Sequence, residues 1–127
     1  MASWAGPIAA VTLFVDDLAA SRRFYADAFE LPVHFEDEES VVFRFGDTLI
    51  NLLVADAAPE LIDPVRVASR DAGARMQFTL HVDDVDALAA RLSARGVEFV
   101  NGPMDRPWGP RTACFQDPSG HLWEIAS

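Results

Sequence analysis

The side chains in this sequence with the chemistry to hold a metal or move a proton are few and scattered. His34 falls in a strand at a sheet edge, His81 near the end of a strand, and His121 in the turn after Gly120. Three imidazoles at three separate edges do not make a ligand set, because a catalytic transition metal needs about three convergent protein donors. Cys114 is the single cysteine, which excludes an intramolecular disulfide and a thiolate cluster. It reads as a small buried side chain. The aromatic chemistry is more suggestive. Trp108 lies in Gly102-Pro-Met-Asp-Arg-Pro-Trp-Gly-Pro110, a stretch too rich in Pro and Gly for regular structure. An indole on such a loop loses little entropy on stacking against a planar ligand; its alternative place is as a plug over a sheet edge. Arg111 follows and is placed to hold an anionic group or to pair with Glu124.

These residues sit in a chain of 127, half of it hydrophobic, with twenty acidic and ten basic residues and a net charge of −10. All ten basic residues are Arg. No basic stripe is present to displace counterions from phosphates, so a nucleic-acid partner is excluded. An acidic field favours cationic small molecules or basic partners, or serves solubility alone. No apolar run approaches the ~20 residues that span a bilayer. The apolar opening from Met1 to Val15 has no basic start and runs into Asp16-Asp17. That is a strand followed by a helix cap, not a signal peptide, and the expected compartment is the cytoplasm.

The chain repeats itself. Residues 11–20 and 78–87 match at a spacing of 67, with Thr12/Thr79, Leu13/Leu80, Val15/Val82, Asp16/Asp83, Asp17/Asp84 and Ala20/Ala87 identical. Coincidence rarely supplies six matches in ten, so a unit has been duplicated. Each copy opens with a β-branched alternation, then an Asp cap, then a helix. In the second helix Val85, Leu88, Ala89 and Leu92 form one apolar stripe, with Gly96 at the left-handed end. In the first, spanning about 18–29, Leu18, Tyr25, Ala28 and Phe29 form the buried face and Pro32 closes the segment. Three strands follow each helix, at about 33–37, 40–46 and 48–54 and at about 97–101, 111–117 and 120–126. Gly46-Asp47 and Asp117-Pro-Ser-Gly120 are the hairpin turns.

The expected fold is therefore α+β, two tandem βαβββ modules in a single domain, 1–127. The modules cover 7–54 and 75–127, joined by an arm over 55–74 that either carries a helical turn or loops over a site. A four-stranded sheet with a helix on one face leaves the other face open, and two such mixed sheets can curve around a cleft. The period of two assigns Val11, Leu13, Val15, Phe78, Leu80, Val82, Trp123 and Ile125 to the helix side. It assigns Ala10, Thr12, Phe14, Leu49, Asn51, Leu53, Gln77, Thr79, His81, Leu122, Glu124 and Ala126 to the cleft. Phe35, Phe43 and Phe45 share parity and are expected to share a face. The core is the ordinary place for them, and Phe35 and Phe43 are kept as candidates to line the cleft.

Val15-Asp-Asp-Leu18 with Phe24-Tyr25, Val82-Asp-Asp-Val85 with Gly96-Val97, Trp108-Gly109, and Asp117-Pro-Ser-Gly-His-Leu-Trp-Glu124-Ile together span nearly the whole chain. This set resembles the vicinal oxygen chelate superfamily, which includes glyoxalase I, bleomycin-resistance proteins, fosfomycin-modifying enzymes and extradiol dioxygenases. The resemblance implies a metal-ligand position on the cleft face of each of four strands. Carried over, these are Ala10, Asn51, Gln77 and Glu124. Ala10 has no donor atom, Asn51 and Gln77 have neutral amides, and Glu124 is the one anion. The resemblance therefore leans to the metal-free branch, similar to bleomycin-resistance proteins, with no cofactor. The expected ligand is a small planar or cationic molecule, captured in drug sequestration or resistance. The expected ligand-binding residues are Trp108, Glu124, Gln77, Asn51, Thr12, Thr79, Phe43, Phe35 and Arg111. The alternative is a metal-dependent lyase, isomerase or dioxygenase, with a divalent metal on Glu124, Gln77 and His81. Pairing of modules in the family implies a homodimer, with the arm around Trp4 packing on a neighbouring subunit.

Overall fold

Strand β1 (Ala10–Val15) begins two residues inside the β-branched alternation read over 8–15 and stops before Asp16. Asp17 then caps helix α1 (Leu18–Ala28), its side chain accepting from the Ala20 N–H at 3.0 Å. This bond satisfies one of the amide groups that a helix start leaves unpaired. The computed structural model describes residues 3–127; the first two residues of the apolar opening lie outside the described residues. After α1 come β2 (Phe35–Glu36), β3 (Ser40–Phe45) and β4 (Thr48–Val54). The sheet order is β1-β4-β3-β2, with β1 parallel to β4 and the other pairs antiparallel. A parallel pair needs a crossover, and α1 lies within it.

Leu13, Val15, Val41, Phe43, Ile50 and Leu52 are buried on the helix side, with Tyr25 and Ala28 of α1. Tyr25 stacks on Phe43 with ring centres 5.8 Å apart, and Phe29 meets Phe45 edge-on at 5.0 Å. These pairs hold helix and sheet together by area and by ring quadrupole.

The connecting arm carries helical turns rather than a plain loop: 3-10 turns at Ala55–Ala57 and Arg70–Ala72, and the one-turn helix α2 (Pro59–Ile62). One compact unit ends within this arm at Val67, and the second runs Ala68–Ser127.

The second unit repeats the order: β5 (Gln77–His81), α3 (Val85–Ala94), β6 (Phe99–Asp105), β7 (Arg111–Gln116) and β8 (Leu122–Ala126). Asp84 caps α3 as Asp17 caps α1, accepting from Ala87 N–H at 3.0 Å. Gly96 ends it at φ +89°. The sheet order is β5-β8-β7-β6, with β5 parallel to β8. Among the described residues no helix is long and apolar enough to cross a membrane.

The strand expected over 120–126 starts at Leu122, and two edge strands differ further from expectation. The strand over 33–37 shrinks to Phe35–Glu36. The strand over 97–101 instead starts at Phe99 and continues to Asp105, through Gly102 and Pro103, so the irregular loop is only 106–110. Register shifts between Phe99 and Asn101 and between Asn101 and Met104 absorb the extra residues. Gly102 makes this possible with φ +82°. It lies so close to β7 that a Cβ would stand 2.7 Å from Ala113 Cα. Pro103 is tolerated because β6 is an edge strand, where a missing N–H leaves no ladder bond broken.

Candidate functional site

Strand register brings the candidate residues into one row on the open face of each sheet. In the first, Thr12 pairs with Asn51, Asn51 with Val42, and Val42 with Phe35. The Asn51 amide donates to Thr12 Oγ1 at 3.3 Å. In the second, Thr79 pairs with Glu124, Glu124 with Cys114, and Cys114 with Asn101. Thr79 Oγ1 donates to Glu124 Oε1 at 2.9 Å. Oε2 of Glu124 has no hydrogen-bond partner among the described residues. Gln77, on the same face, donates from Nε2 to Cys114 Sγ at 3.3 Å and covers the thiol.

Two expectations are corrected. Phe35 and Phe43 do not share a face. Parity holds within a strand, but these residues lie on β2 and β3, and the pairing of Phe35 with Val42 sets it opposite to Phe43. Phe43 is fully buried against Tyr25 and lines no open face, whereas Phe35 is more than half exposed. Arg111 is also off the open face. It shares parity with Ala113 and Phe115 beneath α3 and grips Asp86 of that helix, Nε to Oδ2 at 2.8 Å and Nη2 to Oδ1 at 2.9 Å. A third bond reaches Asp105 at 3.1 Å. These bonds hold the guanidinium above its ordinary range and the Asp86 carboxyl below its own. Arg111 does not pair with Glu124.

One residue on this face escaped the sequence reading. Arg106 folds back over the second sheet, donating from Nε to Thr112 Oγ1 at 2.8 Å and from Nη2 to Asn101 Oδ1 at 3.1 Å. Thr112 alternates with the helix-side Ala113, and the register shift after Phe99 pairs Asn101 with Cys114, so both belong to the open face. Arg106 Cζ also stands 5.8 Å from the centre of the Trp108 ring, and that indole is 72% exposed. The signal available was the spacing Arg106-Pro-Trp108, which sets an arginine two residues from the loop indole.

The histidines stay apart. His81 pairs with Ala126 at the end of β5. His121 gives its Nδ1 to the buried Asp117 at 2.8 Å within the β7–β8 turn. His34 lines an open pocket with Leu31, Pro32, Val33, Arg44 and Gly46. Among the described residues no three His, Cys, Asp or Glu side chains gather as a metal would need.

The sequence profile described as the Glyoxalase/Bleomycin resistance protein/Dioxygenase superfamily matches residues 7–125. An uncharacterized protein of Bacillus subtilis (strain 168), YraH, is 34% identical over 120 residues, covering 91% of this chain and 93% of its own. A glyoxalase-related enzyme from Fulvimarina pelagi superposes with a TM-score of 0.83 at 29% identity, over 94% of this chain and 86% of that one. TnmS3, described as an antibiotic binding protein from Streptomyces sp. CB03234, superposes at 0.73 with 23% identity, over 98% and 97%. That last likeness is one of fold.

Proposed function

We propose that this chain, which belongs to the Glyoxalase/Bleomycin resistance protein/Dioxygenase superfamily, binds a small planar molecule on its open sheet faces and works without a resident metal. The observation that carries this reading is Trp108. A large indole left mostly in solvent, beside a sheet face with unspent hydrogen-bonding groups, is a stacking platform waiting for a partner. Glu124 supplies a carboxylate oxygen for a cationic or hydrogen-bond-donating group of the ligand. On the same face of the second sheet Thr79 and Gln77 supply polar contacts; the open face of the first sheet, taken by itself, offers Thr12 and Asn51 as polar contacts and Phe35 as an apolar one. Sequestration of a drug-like compound suits such a surface, and a protein of the same fold is described as binding an antibiotic.

The donor set does not fit the divalent metal that the superfamily's enzymes use. Ala10 offers nothing, and the Asn51 and Gln77 amides are neutral donors. Glu124 is the one carboxylate, and transition metals favour carboxylate, imidazole or thiolate. His81 does not complete the set: Gln77 and His81 lie about 13 Å apart along β5, so no ion at Glu124 reaches both. No step is assigned through a metal.

The working unit in this reading is a homodimer, to be checked by sedimentation against twice the 13.9 kDa chain mass. The decisive test is elemental analysis of tag-free protein after incubation with Ni, Zn, Mn and Fe(II). Protein without retained metal, together with quenching of tryptophan emission by proflavine or ethidium that is seen in W4F and lost in W4F/W108F, where only Trp123 remains, is the expected result. Stoichiometric retained metal overturns the metal-free reading, and unchanged emission across planar probes overturns the binding reading.

A further inference from the structure

The protein's net charge favours cations, yet one guanidinium is built into the candidate face in a way that favours the opposite. Arg22, Arg44 and Arg111 each pair with a carboxylate. Arg106 pairs with none among the described residues. Its partners are an amide oxygen and a hydroxyl, which orient the group and leave its charge uncompensated. Thr112 is itself buried, so the anchor for Nε is rigid.

The geometry of the guanidinium says which edge is left. Nε and Nη2 form its side edge, and Thr112 and Asn101 occupy that edge. The end edge, Nη1 with the second hydrogen of Nη2, makes no hydrogen bond among the described residues. Two parallel N–H groups at that edge match the two oxygens of a carboxylate. Arg106 Cζ lies over one face of the Trp108 ring at 5.8 Å, and the indole, 72% exposed, offers its other face to a flat molecule.

We propose that Arg106 and Trp108 form a recognition site for a planar aromatic carboxylate, the acid group on the end edge of Arg106 and the ring on the indole. This rests on the binding reading above and narrows its ligand. Asn101, which holds Arg106, lies two strands from Glu124, about 10 Å across the sheet. A ligand that meets both groups is amphoteric, with its acid and its donor at opposite ends. A general attraction of anions to the chain would not mimic this site, since a net charge of −10 repels them.

The test compares 2-naphthoate with its neutral amide, 2-naphthamide, and with cationic 2-naphthylmethylamine. Affinity is read by calorimetry and contact by the Trp108 indole N–H shift in 15N-labelled protein. The expected result is naphthoate binding at least tenfold tighter than naphthamide, with the difference abolished in R106Q. R106K, which keeps the charge and loses the planar fork, retains only part of it and remains informative if R106Q does not fold. Equal binding of acid and amide, or a preference that survives in R106Q, overturns the proposal. Binding of amide and amine without the acid overturns it while leaving the binding reading intact. Failure of all three probes to move Trp108 overturns both.

Discussion

Arg111 holds Asp86 through two parallel bonds, Nε to Oδ2 at 2.8 Å and Nη2 to Oδ1 at 2.9 Å, and so fastens the first turn of α3 to the start of β7. The bond from Arg111 lowers the Asp86 carboxyl below its ordinary value of 3.8. A carboxyl lowered in the folded state adds stability that is full above pH 3.8 and is lost as pH falls through the lowered value. D86N is expected to reduce the urea midpoint at pH 7 and to flatten its decline under acid. R111M is expected to do the same at pH 7 without changing the affinity for 2-naphthoate. A weakened naphthoate complex in R111M would return Arg111 to the binding face.

Phe43 and Phe35 are two phenylalanines with opposite roles in one sheet. Phe43 is fully buried against Tyr25, and F43A is expected to cost about 3–5 kcal/mol in urea unfolding. F35A removes a ring from the open face of an edge strand and is expected to cost under about 1 kcal/mol. Similar losses at the two positions would contradict the register of β2 on β3.

Gly102 and Gly46 both have positive φ, at +82° and +59°. At Gly46 a Cβ meets nothing within 4 Å, so G46A carries only the backbone penalty of about 1 kcal/mol. At Gly102 the added carbon would strike the β7 backbone at Thr112 and Ala113. G102A is expected to cost more than about 2 kcal/mol, because the clash adds to the same penalty. It should also weaken naphthoate binding, since the bulge at Gly102 places Asn101 under Arg106. Thermal unfolding of the two variants side by side tests the ranking.

Glu124 is the acceptor for a cationic or donating group in the proposed complex. E124Q keeps the shape and removes the charge. Binding of 2-naphthylmethylamine is expected to weaken about tenfold, the loss of one charged hydrogen bond, while naphthoate affinity holds or rises. An amine affinity unchanged in E124Q would place the ligand elsewhere on the sheet.

How these residues relate to the sequence follows from the range of the forces that place them. The repeat of Val-Asp-Asp, the caps at Asp17 and Asp84, the helical stripe through Val85, Ala89 and Leu92, and the left-handed end at Gly96 are local. Each depends on a few neighbouring residues, so the two βαβββ modules and the helix side of β1, β5 and β8 were legible from pattern alone. The same period of two put Thr12, Asn51, Thr79 and Glu124 on the open faces, though not side by side in rows. Register between strands is different. It is set by pairing partners far apart in sequence, and a single residue of slip changes the face. Parity could not carry Phe35 and Phe43 across the gap between β2 and β3. Nor could it show Arg111 held by Asp86, 25 residues earlier, or foresee β6 running on through Gly102 by bulging. Arg106 was hidden for the same reason. Its end edge is left open only because Thr112 and Asn101, from two strands, meet its side edge, and that meeting is a property of the folded sheet.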